Sequence, residues 1–320
     1  MRKTKANMWL AMVLTAVLVP SAAFSQPKRP AAAATQFRSI TVVTEPGAAV
    51  WIDGVLYGKA DKDGSLAIKT IAAGGHTVRV RADGFKEKNQ ALTAAQKGEV
   101  KVSLVKTTDE AELAFQEAER LTQLDREKAV AAYKKTVKLR PAYPEAFLAM
   151  ARTQADMGDL EDALKSLAAA RKLRPGYAEA SAVEGRVQKE YGEDQKAIAL
   201  YKRAITEGKG FQPEAYTGLG LIYKERAEAA GGSGNFDEEQ LNYNEAAKNL
   251  KLSIKQLAGA PDAMVIMQLL GLIYERQQKL PEAIAVYEEF LRIFPDSNEA
   301  TAVRSFVVQL RKQLDGQKED

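Results

Sequence analysis

The chain has 320 residues, with 46 lysines and arginines against 42 aspartates and glutamates, one histidine, no cysteine and a formal net charge of +4. Without cysteine no disulfide can form and no thiol nucleophile exists, so an exported form is held by its packed core alone, for which the length is ample. Removing the three basic residues of the extreme N-terminus lowers the net charge to +1, which points to no particular partner and gives no reason to expect nucleic acid.

Arg2, Lys3 and Lys5 precede an apolar run from Met8 to Val19, followed by Pro20 and Ser21-Ala22-Ala23-Phe24-Ser25. Basic, apolar and small-residue regions in that order predict a secretory signal over 1–25, with Ala23-x-Ser25 as its cleavage site. The run falls short of the ~20 residues that span a bilayer. It extends weakly to Phe24, so an uncleaved anchor is the alternative and the one route to a membrane. With no cysteine the signal is not a lipoprotein signal. The expected location is exported, periplasmic or otherwise extracytoplasmic. Residues 26–37, with Pro27, Pro30 and four successive alanines, read as a poorly ordered linker.

From Arg38 to Lys106 the apolar period is two: Ile40 and Val42, Val78 and Val80, then Val100, Val102 and Leu104. Half-buried antiparallel strands show this alternation. Pro46-Gly47, Asp53-Gly54, Asp63-Gly64, Gly74-Gly75 and Asp83-Gly84 supply the turns. Six or seven short strands in some seventy residues make a small β sandwich over 38–106. Glu45-Pro46-Gly47-Ala48, Val50-Trp51-Ile52-Asp53-Gly54 and Gly74-Gly75-His76-Thr77-Val78 closely resemble a PEGA domain. The resemblance implies a small extracytoplasmic β module of envelope and surface proteins, with no agreed ligand and no catalytic residue.

Beyond residue 107 the period is helical and repeats every 34 residues: Ala129, Tyr133 and Pro141 recur as Ala163, Leu167 and Pro175, then Ala197 and Tyr201, while Pro261 and Pro295 keep the same separation. The last unit reads Met267-x2-Leu270-Gly271-x2-Tyr274, Ala283-x3-Tyr287, Pro295, and Tyr216-x2-Leu219-Gly220-x2-Tyr223 repeats its first half. This pattern resembles the tetratricopeptide repeat, a helix-turn-helix unit stacked into an all-α solenoid. Small residues at Ala151, Gly185, Gly220 and Gly271 let helices approach, large ones such as Tyr201 and Tyr287 fill the gaps, and the prolines end the second helices. Five units are predicted over 107–297, at 110–143, 144–177, 178–212, 213–262 and 264–297. The fourth carries about fourteen extra residues near 227–242, including Gly231-Gly232-Ser233-Gly234, read as a longer first helix and a surface loop, or as a loop that contacts a partner. Residues 298–320 form a capping helix, with Ala302, Phe306, Val307 and Leu310 on its apolar face, and a charged tail.

The resemblance places the first helix of each unit on a concave face, where Arg152, Arg186, Lys189, Lys224 and Arg276 fall at equivalent positions with Glu190, Glu225 and Glu275 beside them. Such a basic ladder suits an acidic peptide or a peptide C-terminus; exposed helix positions charged for solubility are the plain alternative. The asparagines of the chaperone-tail clamp found in some members of the family are absent at these positions. The segment 38–106 carries eleven basic and seven acidic residues and the segment 107–320 thirty and thirty-five, so opposite signs favour docking between domains or between copies of the chain, against two ordinary soluble surfaces.

Chemistry finds little footing. His76 lacks companions at metal-ligand spacing, Asp61-Lys62-Asp63-Gly64 has Leu66 where a calcium loop needs glycine, and Gly231-Gly232-Ser233-Gly234 lacks the lysine of a phosphate loop. The sequence therefore predicts no enzyme and no cofactor. It predicts an exported envelope scaffold that binds a protein or peptide through the repeats, the alternatives being an envelope glycan binder acting through the β module or a non-catalytic regulator of an envelope enzyme.

Overall fold

The computed structural model describes residues 37–317. The predicted secretory signal and linker, up to residue 36, lie outside them, as does the end of the charged tail. Phe37, expected in the linker, opens the first strand. Seven strands follow: β1 (Phe37–Val43), β2 (Ala49–Ile52), β3 (Val55–Lys59), β4 (Ser65–Ala72), β5 (His76–Arg81), β6 (Lys88–Leu92) and β7 (Gly98–Lys101). They make two sheets, β4-β1-β7 and β3-β2-β5-β6, whose alternating residues Ile40, Val42, Val50, Ile52, Val78, Val80, Val100 and Val102 fill one shared core. All pairings are antiparallel as expected except β1 with β7, which run parallel. Asp53 and Gly54 both take positive φ, 50° and 85°, the geometry that joins two twisted strands by a two-residue turn.

Two of the residues weighed for chemistry serve as turn fasteners. The Asp61 carboxylate accepts hydrogen bonds from the amides of Asp63 and Ser65, both at 2.9 Å, and so closes the turn into β4. His76 Nδ1 lies 2.6 Å from Asp53 Oδ2 and its Nε2 lies 2.8 Å from the carbonyl of Ala72, which ties the β2–β3 turn to the β4–β5 turn.

The helices come in five antiparallel pairs and a cap: α1 (Glu110–Thr122) with α2 (Arg126–Leu139), α3 (Pro144–Met157) with α4 (Leu160–Leu173), α5 (Ala178–Glu190) with α6 (Asp194–Glu207), α7 (Pro213–Gly232) with α8 (Phe236–Leu257), α9 (Ala263–Arg276) with α10 (Leu280–Ile293), then α11 (Ala300–Gly316). Pro141, Pro175 and Pro295 each stand just beyond the C-cap residues Arg140, Arg174 and Phe294, where proline ends a helix without costing an internal hydrogen bond. The small-to-large rule of the repeat is literal. A Cβ on Gly271 would lie 2.3 Å from Tyr287 Cζ, and one on Gly218 would lie 2.2 Å from Tyr201 Cζ. Tyr201 thereby fills the space between its own first helix, at Gly185, and the next, at Gly218.

The fourth unit corrects the expected loop. Its extra residues lengthen both helices, to 20 and 22 residues, and leave only Ser233 to Asn235 as the turn. Gly231 and Gly232 sit inside the last turn of α7, with the Glu239 carboxylate packed over Gly231. In α11 the buried face is Ala300, Val303, Val307 and Leu310, one residue out of register with the expected Ala302 and Phe306; the Phe306 ring instead lies on the surface 5.9 Å from that of Tyr287.

The inter-helix tyrosines couple stability to alkaline pH. Burial pushes the Tyr133 hydroxyl up to about 12, and those of Tyr201 and Tyr287 further still. An unfolded chain loses these protons near pH ~10 while the folded chain keeps them, so stability is full below that pH and falls as pH rises above it. The urea midpoint is expected to drop steeply above pH ~10, and Tyr287→Phe to flatten that drop; an unchanged slope in the variant would remove Tyr287 from the account.

Candidate functional site

The first helices approach one another in succession, α1 to α3, α3 to α5 and α5 to α7, and no comparable contacts join the second helices. The array therefore curves with its first helices inside. The inner face is partly filled by the β domain. Between the β3-β2-β5-β6 sheet and the first helices lies a hollow of about 1160 Å³, walled on one side by Trp51, Leu56 and Arg79 and on the other by residues of α1, α3, α5, α7 and α9.

Of the predicted ladder, Arg152, Arg186 and Lys189 line this hollow, whereas Lys224 and Arg276 do not. The ladder is not open positive charge. Arg152 reaches across from α3 to α7 and holds the Glu214 carboxylate with both terminal nitrogens, at 3.0 and 2.5 Å. Arg186 holds Asp156 at 2.7 Å, Lys189 holds Glu225 at 2.8 Å and Lys224 holds Glu228 at 2.7 Å. Arg276 is exposed at the end of α9. Arg152, Arg186 and Lys189 meet carboxylates on facing helices and so staple the helices together, whereas Lys224 pairs within α7.

Sequence reasoning missed the rest of the wall. Arg174 pairs with Glu145, Arg81 with Glu87 and Glu119, and the Arg79 guanidinium covers the Trp51 ring at 4.2 Å. Among the lining carboxylates, Glu179, Glu190 and Asp262 make no ion pair or hydrogen bond among the described residues. All three are exposed, and beside them stand the apolar side chains of Leu56, Phe211 and Val265, the last 72% exposed. Glu190 falls beside the predicted ladder; no periodic signal singles out the other five, which lie on β3, at the start of α5, before α7 and at the start of α9.

Family profiles place these features. The PEGA domain profile matches residues 37–108, and two tetratricopeptide repeat profiles match 120–187 and 224–298. The stretch between the two repeat matches contains α6 and the start of α7, packed in the same manner. No curated protein matches the chain. Among solved structures, yeast Tom70 is similar at 15% identity over 65% of this chain and 41% of its own, with a TM-score of 0.51. A thermophilic TPR protein of Thermus thermophilus is similar at 19% identity over 62% of this chain and 98% of its own, with a TM-score of 0.45. The MamA protein is similar at 24% identity over 61% and 96%, with a TM-score of 0.41. The likeness to Tom70 is one of fold. The chain is a PEGA domain followed by an array of tetratricopeptide repeats.

Proposed function

We propose that this protein is an exported, non-catalytic scaffold that holds a segment of a partner protein in the hollow between its repeats and its β domain. The repeats support the scaffold role, since stacked helical pairs present an extended inner surface and bind through it. The order of basic, apolar and small residues over 1–25 supports export.

The observation that carries the partner's chemistry is the state of the charges in the hollow. Of the cations that suggested an acidic ligand, the three that line the hollow, Arg152, Arg186 and Lys189, are held by carboxylates of the array, and the lining carboxylates that hold no cation in an ion pair among the described residues are Glu179, Glu190 and Asp262, near Leu56, Phe211 and Val265. A segment with basic and apolar residues on one face complements that wall, in the manner of an amphipathic helix laid in a groove. Glycan capture by the β module is less well supported, because Arg79 already covers a face of its Trp51 ring.

The test is fluorescence anisotropy on the chain from Gln26 onward, with two labelled amphipathic peptides of one apolar pattern, one rich in lysine and one in glutamate. The lysine peptide is expected to bind at least tenfold tighter at low salt. Replacing Glu179 and Glu190 with glutamine and Asp262 with asparagine is expected to remove most of that preference. Equal binding of the two peptides overturns the partner chemistry. For export, a recovered N-terminus at Gln26 in the envelope fraction is expected; intact chain confined to the cytosol overturns it.

A further inference from the structure

The β domain touches both ends of the array, and the two joints are built differently. At the first, Gln116 of α1 accepts a hydrogen bond from the amide of Gly84 at 2.8 Å and donates one to the carbonyl of Phe85 at 2.7 Å. The buried Arg81 pairs with Glu119 of α1 and lies 4.6 Å over the Phe115 ring. The chain passes from β7 through residues 102–109 into α1, with the Thr107 amide bonded to the carbonyl of Gly84 at 2.9 Å. Polar, stacking and covalent connections coincide there, so α1 moves with the β domain.

The second joint lies some two hundred residues further along and has no covalent support. Tyr57 donates a hydrogen bond to the carbonyl of Leu257 at 3.0 Å, at the end of α8 where helix carbonyls lack partners of their own. Val55 enters the apolar cluster of Leu257, Ala260, Ala263 and Ile266. Thr70 packs on Gly259, where a Cβ would lie 1.8 Å from its hydroxyl oxygen and where φ is +91°. The ion pair Lys69–Asp296, at 2.7 Å, is 63% and 80% exposed, in the range where such pairs add little. Beside these contacts a gap of about 350 Å³ remains open between Tyr57 and Ile71 on one side and Phe211, Tyr216 and Leu252 on the other. This joint rests on a few side chains around unfilled space.

We propose that the β domain is a releasable latch on the concave face: it stays with α1 and parts from α8, α9 and Asp296, so that a partner segment gains the full groove only when this second joint opens. The proposal rests on the reading of the concave face as the partner site. Its energetic form is simple. A groove that is competent only while the latch is open binds with an affinity reduced by the open fraction, and any change that loosens the joint recovers that loss.

The experiment uses the chain from Gln26 onward, which has no cysteine of its own. Spin labels on Lys62→Cys, in the exposed β3–β4 turn, and Glu299→Cys, exposed before α11, report the separation across the joint. Val55→Glu places a carboxylate inside the joint. Thr70→Phe drives a ring against Gly259, where even a methyl has no room, without touching the core of the β domain, and so keeps the test alive if Val55→Glu misfolds. Both variants are expected to add a longer-distance population while helical circular dichroism is retained, and to bind the lysine-rich peptide at least tenfold tighter. Distances that stay unchanged in folded variants overturn the latch. So does a lengthened distance with unchanged peptide affinity where the parent chain binds the peptide. If distances lengthen and no form of the protein binds either peptide, the joint releases as proposed and only the reading of the groove falls.

Discussion

Replacing Tyr201 with alanine is expected to destabilise the protein by about 3–5 kcal/mol, the usual cost of emptying a large aromatic site in a packed core. The side chain is 2% exposed. Its ring stands against Gly185 in its own unit and Gly218 in the next, so one substitution opens two helix interfaces. A stack of repeats has only nearest-neighbour interfaces to transmit order, and the loss falls in its middle. Trp51 is the only tryptophan from Gln26 onward and reports the β domain, while circular dichroism at 222 nm reports the helices. In the parent chain the two urea transitions are expected to coincide. In Tyr201→Ala the helical transition is expected at lower urea than the Trp51 transition. Unchanged, coincident transitions would show that the ring does not hold the array together.

The second large effect concerns Arg152. Its reversal to glutamate would set a carboxylate against Glu214, from which two nitrogens now hold it at 3.0 and 2.5 Å. Both side chains remain about a third exposed, so solvent screens the interaction and the expected loss is about 1–2 kcal/mol rather than the 3–5 of a fully buried pair. The double variant Arg152→Glu, Glu214→Arg is expected to regain most of it. A double-mutant cycle from urea unfolding measures the coupling, which is expected to shrink at high salt. A coupling of zero would reduce the pair to a surface contact. The pair joins the second unit to the fourth, over α5, and so holds the curvature that forms the hollow. Loss of partner capture on reversing Arg152 alone therefore has to be read beside stability, since the same change relaxes the groove.

The repeat phase was legible because it is written in steric necessity. Ala129, Ala163, Ala197 and Ala283 recur where two helices nearly touch, and the prolines recur where helices end. The helix pairs follow that spacing for that reason, with α9 opening at Ala263, one residue ahead of the unit predicted from 264. Unit four misled because four clustered small residues look like a chain break. In the fold, Gly231 is packed under Glu239 and the Ser233 hydroxyl donates back to the carbonyls of Ala229 and Ala230, so the helix runs almost to Gly234. The groove was legible as a row of positions and illegible as a charge. Arg186 finds Asp156 thirty residues earlier and Arg152 finds Glu214 sixty-two residues later, separations that a reading of one helix at a time does not connect. The docking of the β domain left one trace, the opposite net charges of the two segments, while the contacts that fix it, Tyr57 on Leu257 and Thr70 on Gly259, carry no motif.

The position of the β domain also orders the birth of the protein. Stacked repeats are built from local contacts and fold fast, whereas a contact between Tyr57 and Leu257 closes a loop of 200 residues. The β domain leaves the ribosome, or a translocation channel, before any repeat exists. Its surface at Val55 and Tyr57 must then wait, uncovered, until α8 and α9 have been made. Closing that joint thus comes late in assembly, and a chain stalled before residue 257 presents to its surroundings an apolar edge that the finished molecule conceals.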